Sequence, residues 1–206
     1  MFTAQTTYEE AQHFYGEMKS RAVQHGRRPE HLLIMPGVVP IIADTLTEAR
    51  EIESALNELI IPDYALYKLA NLLQVPIDDL NLDSFIPVNL PPETHVEGAR
   101  SRRTLVVELA RREKLTVRQL IRRLGGGRGH WTLVGTPDQA TDALQHYFEK
   151  GAADGFNIMP ALLPSGLSTF IEKVVPRLQD RGIFRREYTG STLRAHYGLP
   201  LPTAHS

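Results

Sequence analysis

The segment from 131 to 160 constrains the fold more than any other part of the chain. Thr132-Leu133-Val134 is a short apolar strand, and Gly135 leads into Thr136-Pro137. Thr136 with Gln139 fits a capping box, in which hydroxyl and amide side chains satisfy each other's orphan backbone donors. Pro137 takes the first helical position, where a missing N–H costs nothing. Ala140, Ala143, Leu144, Tyr147 and Phe148 recur at helical spacing, and Gly151 follows as a helix end. Phe156 to Met159 then forms a second buried strand before Pro160. Strand, helix and strand in series predict a parallel α/β sheet with right-handed crossovers.

The same grammar recurs upstream. Thr7 with Glu10, Thr45 with Glu48 and Thr116 with Gln119 repeat the capping box. A helix from Thr7 to about His25 places Ala11, Phe14, Tyr15, Met18 and Ala22 on one face, with Gly26 as its cap. Leu32 to Met35 and Val38 to Ala43 read as strand buried on both faces, interrupted at Pro36-Gly37. The helix after Thr45 aligns Ala49, Ile52, Leu56 and Leu59. Four β/α units emerge: Phe2 to His25, Leu32 to Ile60, Thr132 to Gly151 and Phe156 to Arg181. Pro176 is expected to split the last helix.

Residues from Ile61 to Gly129 break this rhythm with Pro62, Pro76, Pro87, Pro91 and Pro92. The span is too long for a loop inside a compact domain. It reads as an insertion with helices over Tyr64–Leu73, about Val96–Lys114 and Val117–Leu124. The organisation expected is two β/α units over 1–60, a helical insertion or lid over 61–129, two more units over 130–182, and a tail over 183–206. Phe184, Tyr188, Leu193 and Tyr197 would anchor that tail.

Composition narrows the function classes. The chain has 206 residues and a formal net charge of −1, so no global field favours nucleic acid or a membrane surface. With no cysteine it has neither disulfides nor thiolate metal sites, which suits a reducing cytoplasm. No apolar run approaches a membrane span. His13 with Glu17, and Asp142 with His146, have one-turn spacing but no second histidine, so no metal site is expected. Gly125-Gly126-Gly127-Arg128-Gly129 lacks the Lys-Ser/Thr of a phosphate loop and is expected to end a helix. The arginine-rich stretch from Arg100 to Arg128 is read as a solvated basic face on the lid. A helix-turn-helix is its nucleic-acid alternative.

Several short motifs, taken in order, carry a resemblance. They are Phe2-Thr3-Ala4-Gln5, Gly26-Arg27, Leu33-Ile34-Met35-Pro36-Gly37 and Thr45-Leu46-Thr47-Glu48-Ala49. Gly126-Gly127-Arg128-Gly129-His130, Gly135-Thr136-Pro137, Ala152 to Pro160 and Thr192-Leu193-Arg194 complete the set. Together the chain resembles the nitrilotriacetate monooxygenase component A group of luciferase-like flavin monooxygenases, which includes dibenzothiophene-sulfone monooxygenase-like enzymes. The resemblance implies an α/β fold, the C-terminal half of a TIM-type (β/α)8 barrel with a helical insertion. Met1 would fall inside the fifth strand, with four β/α units of the family ahead of it.

The resemblance also implies chemistry. Reduced FMN, supplied by a separate NAD(P)H:flavin reductase, activates O2 toward a small organic substrate, while the protein supplies binding, orientation and dryness. Arg128 and His130 are the candidate catalytic residues. Phe2, Gln5, Met35, Asn157 and Met159 are the candidate cofactor contacts, on the C-terminal rim where barrel sites lie. Each has a plainer reading: Arg128 as surface, His130 as a satisfied buried histidine, Phe2 as core, and Asn157 and Gln5 as backbone partners. A half-barrel exposes sheet edges, so a homodimer or a complementary chain is expected. The alternatives are a non-catalytic fragment of a truncated or split gene, a coenzyme F420-dependent oxidoreductase, and a basic nucleic-acid-binding protein.

Overall fold

The computed structural model describes residues 1–92, 100–127 and 130–200. Its sheet has four parallel strands: β1 (Phe2–Thr3), β2 (Met35–Ile42), β3 (Trp131–Gly135) and β4 (Asn157–Ile158). Helices α1 (Tyr8–Gln24) and α2 (Leu46–Glu58) follow the first two strands. Helices α3 (Pro62–Leu73), α4 (Arg100–Arg112) and α5 (Val117–Gly127) come next, then α6 (Pro137–Glu149) after β3. The run after β4 comprises α7 (Ser165–Thr169), a π turn at Phe170–Val174 and α8 (Val175–Asp180). A single turn, α9 (Leu193–His196), lies in the tail. No helix among the described residues is long and apolar enough to cross a membrane.

The helix starts follow the sequence closely. Thr7 and Thr136 form complete capping boxes, and Thr45 accepts from the Glu48 amide. Pro176 marks the split in the last helix. It cannot supply an N–H to the turn before it, and that turn is widened into a π turn. Leu59 and Phe148 face outward at 76% and 44% exposure, although the helical stripes point them inward. Gly125 does not end its helix: α5 runs on through Gly127. A Cβ there would lie 2.3 Å from Ile60 Cδ1, so close packing of α5 on the end of α2 explains the glycine.

Pro36 and Gly37 do not interrupt β2, which is one continuous strand, and hydrogen-bond parity explains how. Met35 N–H donates to Met1 O, and Ala43 N–H donates to Gly135 O at 3.2 Å. Odd-numbered residues therefore serve the edge shared by β1 and β3. Ile34 O and Val38 O accept from Asp154 and Met159 on the other edge. Pro36 and Pro40 have even parity, so their missing donors fall on the edge that β4 pairs only at Gly37–Val38. Sequential order would have set β4 beside β3; here it pairs with β2.

Two cores result. Val38, Ile42 and Leu133 of the sheet pack against Ala140 and Leu144 of α6 and against Phe170 and Val174. Trp131 stacks on Tyr147 at 4.3 Å and 5°, tying β3 to α6. A separate cluster, built on Leu73, Leu109, Val117 and Leu120, lies within α3–α5 and their loops. Arg103 is buried in this second unit. It donates to Leu73 O at the end of α3 and to Pro91 O, so the solvated basic face expected of this stretch is only partly realised. Arg112 and Arg118 are likewise paired, with Glu10 and Asp83.

Parallel packing of α6 and α8 is reinforced by a charge ladder at matching one-turn intervals. Arg177 meets Asp138 at 2.7 Å, and Arg181 meets Asp142 at 2.6 Å. These pairs are exposed and each contributes little, about 0.2–1 kcal/mol. Asp154 is different. It accepts from Tyr15 Oη at 2.9 Å and Ile34 N–H at 2.8 Å, and pairs with Lys19 at 2.8 Å, both side chains largely buried. Burial and the Asp154 carboxylate push the Tyr15 hydroxyl up to about 12, so it remains a donor. Asp154→Ala is expected to cost about 2–4 kcal/mol by urea unfolding, because three donors lose one acceptor. Glu17→Ala, which breaks only the exposed pair with Arg21, is expected to cost under about 0.5 kcal/mol.

Candidate functional site

Because β1 and β3 share one edge of β2, the end of β1 meets the start of β3. Thr3 is in register with Pro36 and Trp131 with Val38. A cleft of about 570 Å³ opens at this junction, between α1 and the lid-side helix α4. Phe2, Phe14, Leu105 and Leu109 supply apolar walls, and Gln5, Glu10, Arg102 and His130 supply polar groups. This volume falls in the usual range for small-molecule sites, roughly 300–1,000 Å³.

His130 is set by its neighbours. Its ring lies on Gly37, where a Cβ would come within 2.3 Å of Nδ1. Nδ1 is buried and has no hydrogen-bond partner among the described residues. Burial, then the positive charge of Arg102, lowers the His130 pKa below its ordinary value, against a hydrogen bond to the Thr3 backbone. The ring is therefore neutral near pH 7. With its donor nitrogen turned to Thr3, Nδ1 is left as an acceptor.

Glu10 closes another side of the cleft. Its carboxylate accepts from the Thr6 amide at 3.0 Å, from the Thr6 hydroxyl at 2.9 Å and from Arg112 of α4 at 2.6 Å. Burial opposes the charged form, but these bonds outweigh it, and Glu10 stays below its ordinary pKa. Gln5 is buried, with Oε1 accepting from the Thr3 hydroxyl at 2.7 Å.

Of the residues singled out from sequence, the structure brings Phe2, Gln5 and His130 to this one cleft. Phe2 is 70% exposed there, so it is not core. Met35 lines a different cleft, beside Gly155. Asn157 is exposed and pairs with Gly37, and Met159 N–H donates to Val38 O. Asn157 and Met159 do not reach the His130 cleft because β4 lies on the opposite edge of β2, and Met35, though in register with Phe2, lines the other cleft. Arg128 lies outside the described residues. Sequence reasoning missed Glu10 as a site residue and read Arg102 only as one of a basic face. Glu10 was legible only as a capping residue, and its second partner comes from a helix a hundred residues away.

Comparison with known proteins gives this geometry a lineage. No family model matches the chain. It is 43% identical over 203 residues to nitrilotriacetate monooxygenase component A of Aminobacter aminovorans, covering 98% of this chain and 44% of that protein. It is 46% identical over 203 residues to N-acetyl-S-(2-succino)cysteine monooxygenase of Bacillus subtilis (strain 168), covering 98% and 46%. Over nearly its whole length the chain is thus similar to part of each of these monooxygenases. Among solved structures, EDTA monooxygenase of Chelativorans sp. BNC1 superposes with a TM-score of 0.63 at 33% identity, covering 97% of this chain and 46% of that one. The sheet and helices thus correspond to part of the family's TIM-type barrel, and the chain spans about half the length of the curated relatives it matches.

Within this chain, Gly37 and His130 are sterically coupled. Gly37→Ala alone is expected to destabilise by about 1–3 kcal/mol, as overpacking does. In a His130→Ala background the same change is expected to cost under about 0.5 kcal/mol, since the clash is gone. Additive costs in the double-mutant cycle would contradict the contact.

His130 also sets a pH dependence. With its folded pKa below its unfolded one, the unfolded chain takes up the proton first. Its contribution is full above about 6.5 and declines as pH falls through that value toward the folded pKa. Urea unfolding from about pH 8 down to about pH 5 should therefore show a steeper loss in wild type than in His130→Ala. Equal slopes would count against a buried neutral ring.

Proposed function

We propose that this chain carries one part of the active site of an FMNH2-dependent, two-component monooxygenase that oxidises a small organic substrate with O2. The observation that carries this reading is the half-buried His130, its Nδ1 without a partner among the described residues, beside Arg102 in a cleft with apolar walls. The relatives' names support it, since both are monooxygenases and one is a component A. The residues present fit a planar heteroaromatic cofactor or substrate: apolar faces from Phe2 and Phe14, and a polar margin from Gln5, Arg102 and His130.

Reduced FMN, delivered in the cytoplasm by a separate NAD(P)H:flavin reductase, would supply the O2 chemistry. The chain's own part is binding and exclusion. His130, a neutral ring packed on Gly37 and bonded to Thr3, supplies a fixed polar wall to the cleft. Arg102 places a positive charge in the cleft, favouring an anionic phosphate or substrate carboxylate. Leu105 and Leu109 of α4 act as a lid wall that keeps water off the ligand. Arg128, in the glycine-rich segment before His130, is proposed as a further cation for the same anion. Met35, Asn157 and Met159 stand outside the cleft and are left out of this reading. The remaining walls are proposed to come from outside residues 1–206, on whichever chain carries them.

Titration of reduced FMN under anaerobic conditions tests the proposal, with mass followed by light scattering. Saturable binding is expected, weakened about tenfold, or ~1.4 kcal/mol, by His130→Ala. The titration is repeated with the chain mixed with the part of the Bacillus relative that it does not match. Absence of saturable binding in both settings would overturn the proposal.

A further inference from the structure

A second cleft, of about 520 Å³, lies between β4, α6, α8 and the tail. Leu144, Phe156, Ile158, Phe170 and Leu178 give it an apolar and aromatic floor, and the carboxylate of Asp154, which also lines it, is neutralised by Lys19. Its rim is made by the tail, which is folded into a hook. Thr192 caps α9, His196 meets Gly190 O at 2.6 Å, and the His196 ring packs 4.5 Å from Tyr188. Arg185 sits on this rim, its guanidinium 5.1 Å from the Phe184 ring and 5.3 Å from the Tyr188 ring. Among the described residues it makes no ion pair with a carboxylate, whereas its neighbours Arg181 and Arg186 each do.

Gly155 adds an independent observation. It lines the cleft, its φ is not in the left-handed region, and a Cβ would meet nothing nearer than Met35 Cε at 3.7 Å. Neither backbone conformation nor packing demands a glycine there. The room it leaves belongs to the cleft.

We propose that this tail-rimmed cleft is a second binding site, for a small aromatic anion such as an aryl carboxylate or sulfonate. The apolar floor takes the rings, and Arg185, held flat by Phe184 and Tyr188, meets the acid group at the rim. The site is separate from the His130 cleft and does not depend on the function proposed for it.

The probe is 1-anilinonaphthalene-8-sulfonate, with neutral N-phenyl-1-naphthylamine as its uncharged counterpart. Wild type should bind one sulfonate probe per chain, saturably. Arg185→Gln, at an exposed position, should weaken the sulfonate about tenfold and leave the neutral probe unchanged. Gly155→Leu should abolish binding of both by filling the cleft. Should circular dichroism show Gly155→Leu unfolded, Ile158→Phe takes its place, and the Arg185→Gln arm stands regardless. Several probes per chain, or sulfonate affinity unmoved by Arg185→Gln, would overturn the proposal. A dimer that the probe dissociates would also overturn it, showing the cleft to be a subunit contact.

Discussion

Every other strand of this sheet hydrogen-bonds to β2. One edge of β2 serves β1 and β3 end to end, and the other serves β4. Two prolines inside such a strand ought to break it. They do not, because both project their missing donors toward the edge that is covered for only two residues. The arrangement also fixes where the clefts form. Abutting β1 and β3 leaves a gap filled by His130, while β4 on the far edge keeps Asn157 and Met159 away from that gap.

The helices inserted between α2 and β3 have a core of their own, and their polar contacts with the sheet unit are few. The Glu10–Arg112 pair is one of them. Glu10 is held from below by its own capping box and from above by α4, so one carboxylate both starts α1 and anchors the lid. The attachment is also apolar, since Ile60 at the end of α2 packs on Gly125 of α5 and against the core of the inserted helices. Leu105 and Leu109 of α4 are thereby held over the cleft from a second core.

Local structure was legible in the sequence because local chemistry decides it. Thr136-Pro137 with Gln139, Thr7 with Glu10, and Pro176 each act within one helical turn. The starts of α1, α2 and α6 and the split in the last helix all fall where those residues put them. Pairing was not legible. Nothing in Asn157-Ile158 says whether it joins β3 or β2, since both partners are apolar and parallel. Gly37 and Gly125 read as breaks, yet each is a steric footprint, of the His130 ring and of Ile60. A footprint is defined by a residue far away in sequence, so one sequence alone cannot distinguish it from a turn.

The same distinction explains what was visible of the site. His130 stood out by motif, but its character comes from what surrounds it: Gly37 beneath, Thr3 on the donor side, Arg102 nearby. These three come from three different elements. Together they favour the neutral ring, with its donor nitrogen on Thr3. A buried nitrogen with no partner among the described residues carries a desolvation cost. That cost sits where β1, β2 and α4 meet, so substitutions at Thr3, Gly37 and Arg102 should each be felt by the same ring, and their effects should couple rather than add.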